Sequence, residues 1–164
     1  VIMGVVNISF TLVAVFTVEK LGRKPLLIFG SIGMAVGALG VALTFGNATL
    51  STVTMISIMV YSASFMFSWG PIAWVLIAEL FPNTIRGAAV AIAVAFQWIF
   101  NFIVSSTFVP MFNMHLTPGD DFGHWFTYGL YGVICILAAI FVWKLVPETK
   151  GKTLEDMSKL WRKE

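Results

Sequence analysis

The sequence predicts an all-α protein, a polytopic bundle of membrane-crossing helices. Three observations predict it. The residues AVILMFWYC make up 59% of the chain and Asp, Glu, Lys and Arg only 11%, whereas a soluble domain is about 45–50% apolar with roughly a quarter of its residues charged. No Asp, Glu, Lys or Arg occurs from Pro25 to Ala78, nor from Gly87 to Gly119, and about 18 apolar residues already span a bilayer. The few charges gather in short clusters between the apolar runs. A soluble enzyme is excluded, because too few charges exist to coat a folded surface.

Charges and turn residues divide the chain into five spans, at about 1–18, 26–45, 52–80, 87–109 and 126–146. The first ends at Glu19-Lys20-Leu21-Gly22-Arg23-Lys24-Pro25, where Gly22 suits a left-handed helix end and Pro25 the first turn of the next helix. The second ends at Gly46-Asn47-Ala48-Thr49, and a polar loop rich in Pro, Gly and Asp precedes the fifth. Residues 147–164 then read as a cytoplasmic amphipathic helix. Thr153 is its N-cap, and Leu154, Met157, Leu160 and Trp161 share one face.

Orientation follows from the basic residues. All 10 Lys and Arg fall in the turn after the first span, the turn after the third, and the segment from Lys144 onward. Basic loops stay in the cytoplasm, so the C-terminus is expected there and the loop at 110–125 outside. The chain opens at Val1 within an apolar run, so a C-terminal piece of a longer protein is expected. A net charge of +2, spread over span ends, offers nucleic acid no surface. The single cysteine, Cys135, has no mate for a disulfide within the chain.

The third span carries the sharpest chemical signal, Ser68-Trp69-Gly70-Pro71-Ile72-Ala73-Trp74. Pro71 lacks an N–H and clashes with the carbonyl of Phe67, so the helix bends or opens there. Broken membrane helices line cavities when protein or water satisfies the freed carbonyls. Ser57, Tyr61, Ser64 and Ser68 form one face beside the break. They either line such a cavity or bond to their own backbone at an ordinary kink. In the fourth span Gln97, Asn101 and Ser105 form a polar stripe, with Gln97 about 15 Å from the inner end. A carboxamide at that depth needs another helix or a hydroxylated ligand. Phe65, Trp74 and Gln97 together have the chemistry to hold a sugar, whose C–H faces lie on rings and whose hydroxyls bond to amides.

Gly30, Gly33, Gly37 and Gly40 make a stripe on the second span suited to close helix packing. His115 and His124 share a loop with Asp120 and Asp121, but their spacing matches no metal site, and neither metal nor cofactor is expected. Asn47-Ala48-Thr49 fits a glycosylation triplet on the outer side, but a chance match is the better reading. Glu19 and Arg23 lie four apart, and Glu79 and Arg86 flank the other inner turn. These are solvated turn charges or ion pairs that latch one conformation.

Three strings resemble the sugar porter family of the major facilitator superfamily. They are Glu19-x-x-Gly22-Arg23-Lys24, then Gly70-Pro71-x-x-Trp74-x-x-x-x-Glu79-x-x-Pro82-x-x-x-Arg86-Gly87, then Pro147-Glu148-Thr149-Lys150-Gly151. Ala91-Ile92-Ala93-Val94-Ala95-Phe96-Gln97-Trp98 is most similar to bacterial proton-coupled carriers of xylose. The resemblance covers the whole chain and implies the last five of twelve spans. It implies monosaccharide transport by alternating access, with xylose or a similar sugar as substrate and protons as coupling ion. It implies that Phe65, Gly70, Trp74 and Gln97 touch the sugar, and that Glu19, Gly22, Arg23, Glu79 and Arg86 form a cytoplasmic gate. Glu19 stands where the family commonly has Asp. An uncoupled facilitator and a membrane sugar sensor are the alternatives.

Overall fold

The computed structural model describes residues 2–81, 83–116 and 121–151. Most of the predicted amphipathic helix at 147–164 lies outside the described residues. Every regular element among the described residues is helical: α1 (Ile2–Leu21), α2 (Arg23–Thr44), a 3-10 turn (Ala48–Leu50), α3 (Ser51–Phe67), α4 (Trp69–Leu80), α5 (Arg86–Phe112) and α6 (Phe122–Leu145). Taking α3 and α4 as one span, five are long and apolar enough to cross a membrane.

Helices α1 and α2 are joined by Gly22 alone. Its φ of 93° and ψ of 166° lie in a region only glycine enters freely, rather than in the left-handed helical region that the sequence suggested. Pro25 then sits in the first turn of α2, where its missing N–H costs no helical bond.

Helix α2 is the spine of the bundle, packed on α3 at one side and on α6 at the other. Leu26, Leu27, Met34, Ala35, Ala38, Val41 and Ala42 are its buried apolar side chains. Two sequence stripes meet in the α2–α3 contact. A Cβ at Gly30 or Gly33 would fall on the hydroxyl of Ser68 or Ser64, and one at Gly40 would lie 2.5 Å from Ser57 Oγ. At Gly37 it would lie 2.7 Å from the backbone N of Tyr61. The glycines therefore exist to admit the serines. Ser68 Oγ also donates to Ser64 O at 2.7 Å, while Ser57 and Ser64 pack against the glycines. The serines of that face are thus taken up by helix packing, whereas Tyr61 lines a cavity of about 240 Å³ with Tyr128 and Tyr131.

The third span breaks at Ser68, whose φ of −128° and ψ of −83° leave the helical region. The break falls three residues before Pro71, which places the proline in the first turn of α4, again where no N–H is needed. At the opposite end of the bundle from the charged turns, aromatics join three helices. The Phe45 and Phe112 rings stand 5.5 Å apart, with His124 4.6 Å and 4.2 Å from them. Asn47 Oδ1 accepts from Thr49 N at 3.1 Å and from Thr49 Oγ1 at 2.6 Å, which starts the 3-10 turn. The triplet thus has a local structural use.

Candidate functional site

The break sets the last turn of α3 and the first turns of α4 around a cleft of about 290 Å³, with α5 as the facing wall. All four residues predicted to touch a ligand line it: Phe65, Gly70, Trp74 and Gln97. Trp69, Ala73, Ile77 and Ala93 complete the lining. Phe65 is 40% exposed and Trp74 42%, so both present ring surface to whatever enters. A Cβ at Gly70 would make ordinary van der Waals contact, 3.4 Å from Phe65 O and 3.8 Å from the Phe65 ring.

Sequence reasoning missed four lining residues, and the signal for three was available. Gly70, Ala73, Trp74 and Ile77 stand at i, i+3, i+4 and i+7, one face of α4. Ala93 stands one turn from Gln97 on α5 in the same way. Trp69 begins α4 one turn before Ala73, but its ring is seated by Ser31 of α2, which no spacing within its own helix shows.

The Gln97 side chain makes no hydrogen bond with any described residue, and Gln97 is exposed, as are Asn101 and Ser105 further along the stripe. Its carboxamide can donate two hydrogen bonds and accept two. The lining contains no Asp, Glu, Lys, Arg or His. Ring faces beside one free carboxamide suit a neutral ligand with both C–H and hydroxyl surface. They do not supply acid–base chemistry.

A second cluster closes the end of the bundle where the charged turns lie. Arg23 Nη2 donates to Glu79 Oε1 at 2.6 Å, tying the start of α2 to the end of α4. Thr149, 4% exposed, donates from its hydroxyl to Glu79 Oε2 at 2.7 Å. Glu148 accepts from the backbone N–H of Arg23 at 3.0 Å and of Lys24 at 3.1 Å. These are unpaired donors of a helix N-terminus, whose partial positive charge favours a carboxylate. Lys150 N donates to the same carboxylate at 3.0 Å, and Lys150 Nζ reaches Lys20 O.

The ion pair differs from the two that the sequence suggested. Glu19 ends α1 and Arg23 begins α2, so the helical i, i+4 relation does not connect them across Gly22. Glu19 is exposed. Arg86 begins α5 and donates from Nε to Phe81 O at 3.4 Å within its own turn. Glu148 and Thr149 were not foreseen in this cluster. Their signal was an acid beside Pro147, on the side of the bundle that holds the basic turns. Near the opposite end His124 Nδ1 lies 3.3 Å from Asp121, and among the described residues no three His, Cys, Asp or Glu side chains converge.

Five helices long and apolar enough to cross a membrane, one of them broken beside a neutral, aromatic cleft, are the features to set beside known proteins. A family model described as "Sugar (and other) transporter" matches residues 1–161, and the chain belongs to that family within the major facilitator superfamily. It is 49% identical to the D-xylose-proton symporter of Escherichia coli (strain K12), over 100% of this chain and 33% of the relative. It is 44% identical to the glucose transport protein of Synechocystis sp. (strain ATCC 27184 / PCC 6803 / Kazusa), over 96% of this chain and 34% of the relative. Its structure matches the inward open conformation of the xylose transporter XylE from E. coli with a TM-score of 0.86 at 48% identity, covering 98% of this chain and 35% of that one. The chain thus spans about a third of the length of these relatives.

Proposed function

We propose that this chain contributes one wall of the substrate path in a monosaccharide transporter that works by alternating access, carrying xylose or a similar sugar with protons. The observation that carries the proposal is the gathering of Phe65, Gly70, Trp74 and Gln97 into one cleft beside the Ser68 break. In this reading the rings of Phe65 and Trp74 hold the C–H faces of the sugar, Gly70 gives it room, and Gln97 bonds its hydroxyls. Arg23 and Glu79, braced by Gly22, Glu148 and Thr149, close the cytoplasmic side, and Glu19 and Arg86 flank that gate. The printed names of the relatives support a sugar as substrate and a proton as coupling ion.

The orientation belongs to the same proposal. Placing all 10 basic residues on one side supports a cytoplasmic C-terminus, and the bacterial relatives support the inner membrane as the location. An uncoupled facilitator is the second reading, favoured by a cleft lining without titratable side chains. The test is uptake of labelled D-xylose by cells expressing the transporter that carries this chain. Saturable uptake that a protonophore collapses supports symport, and saturable uptake that it leaves intact supports the facilitator. Correct insertion without saturable uptake of any monosaccharide contradicts both and favours a sensor.

A further inference from the structure

The break in the third span is seated on α2 by two neighbouring contacts. Gly30 leaves the space that Ser68 fills. The next residue, Ser31, receives Trp69: indole Nε1–H donates to Ser31 Oγ at 2.7 Å. Ser31 is 0% exposed, and its own hydroxyl donates onward to Leu27 O at 2.8 Å. The chain Trp69 N–H to Ser31 O–H to Leu27 C=O therefore gives each donor an acceptor in the interior. Trp69 also packs against both apolar clusters of the bundle, one built on Leu26, Leu27 and Ile72 and the other on Met34, Ala35 and Cys135. Held on these sides, the ring forms part of the cleft wall beside Phe65, Trp74 and Gln97.

We infer that Trp69 is a positioning residue that sets sugar selectivity, by fixing one wall of the cleft at a distance that Ser31 determines. The inference rests on the reading of this cleft as the sugar site. Trp69 is the first residue of α4, where the backbone N–H has no partner within the helix, and the buried hydrogen bond and packing fix its ring. In a cleft of about 290 Å³, a wall that cannot move separates a pentose from a hexose by size. A wall free to shift does not. The hydroxymethyl group that distinguishes glucose from xylose would gain space once the indole is released.

The experiment measures D-xylose and D-glucose affinity, with thermal stability, for the transporter carrying this chain and for three variants. Trp69→Phe keeps a ring but removes the N–H, and Ser31→Ala removes the acceptor with little change in volume. Gln97→Ala is the control for the underlying reading. Loss of one hydrogen bond corresponds to about a threefold to tenfold change. The preference for xylose over glucose should therefore fall by about that factor in Trp69→Phe and in Ser31→Ala. A lowered melting temperature with an unchanged preference in both variants, while Gln97→Ala weakens binding, would overturn the inference alone. Unchanged sugar affinity in Gln97→Ala would instead overturn the reading of the cleft on which it rests. Should Trp69→Phe fail to fold, Ser31→Ala still decides.

Discussion

Gly22 and Glu148, far apart in the chain, meet so closely that a Cβ on the glycine would lie 2.8 Å from Glu148 Oε2. That carboxylate caps the first two amides of α2, so the one-residue joint between α1 and α2 is closed by the segment that follows α6. Two distant stretches of sequence converge on one glycine.

Gly22→Ala should accordingly be among the most damaging small substitutions in the chain. It adds strain at φ 93°, typically about 1–3 kcal/mol for a non-glycine residue in such a region, and it displaces the Glu148 cap. Glu148→Ala should cost about 1 kcal/mol through the lost cap alone. In the double variant the collision disappears and the backbone strain stays, so the two effects should combine to less than their sum. Melting temperatures of the two single variants and the double variant check this.

The α2–α3 contact gives a contrast within one protein. Gly37→Ala places a methyl 2.7–2.8 Å from the Tyr61 backbone N and the Ser57 O, whereas Gly4 and Gly129 have nothing within 4 Å. Backbone cannot move aside as a flexible side chain can. Gly37→Ala should lower thermal stability by about 1–3 kcal/mol, while Gly4→Ala and Gly129→Ala should leave it unchanged or raise it slightly. Equal effects at all three positions would contradict the packing described.

The Arg23–Glu79 pair joins α2 to α4 with side chains 18% and 29% exposed. A pair with that much access to solvent contributes about 0.2–1 kcal/mol, small enough to break during a transport cycle. A double-mutant cycle with Arg23→Gln and Glu79→Gln should give a coupling in that range for thermal stability. If the pair closes the gate, Glu79→Gln should also leave sugar affinity nearly intact while changing the exchange rate. A coupling near zero with unchanged exchange would remove the pair from the gate.

Orientation is open to direct labelling. In a Cys135→Ala background, Leu116→Cys should react with an impermeant thiol reagent added to intact cells. Lys159→Cys should react only after the membrane is opened. The reverse pattern would invert the topology.

Much of the fold was legible because a bilayer imposes a single strong rule, long apolar runs separated by charges. The cleft residues Phe65, Gly70, Trp74 and Gln97 were legible from motif strings and from the proline that forces a break nearby. Contacts between helices were not. The glycine stripe of α2 and the serine face of α3 were each visible, but nothing in either period says that they face one another. The partner of Arg23 was hidden for a related reason, since Gly22 ends one helix and starts another within a single residue. Trp69 escaped because its place depends on a buried serine on another helix, Ser31.

The central claim, that the cleft beside the break holds a sugar, stands or falls most directly on Gln97. The measurement is sugar affinity beside thermal stability for Gln97→Ala in the transporter carrying this chain. A carboxamide that both donates to and accepts from sugar hydroxyls contributes about 0.5–1.5 kcal/mol per bond, and more where a buried partner is left unpaired. The account predicts that Gln97→Ala binds D-xylose roughly 3- to 30-fold more weakly, with insertion and melting temperature retained. Unchanged affinity with a lowered melting temperature would mean that Gln97 only ties helices together, and would contradict the account.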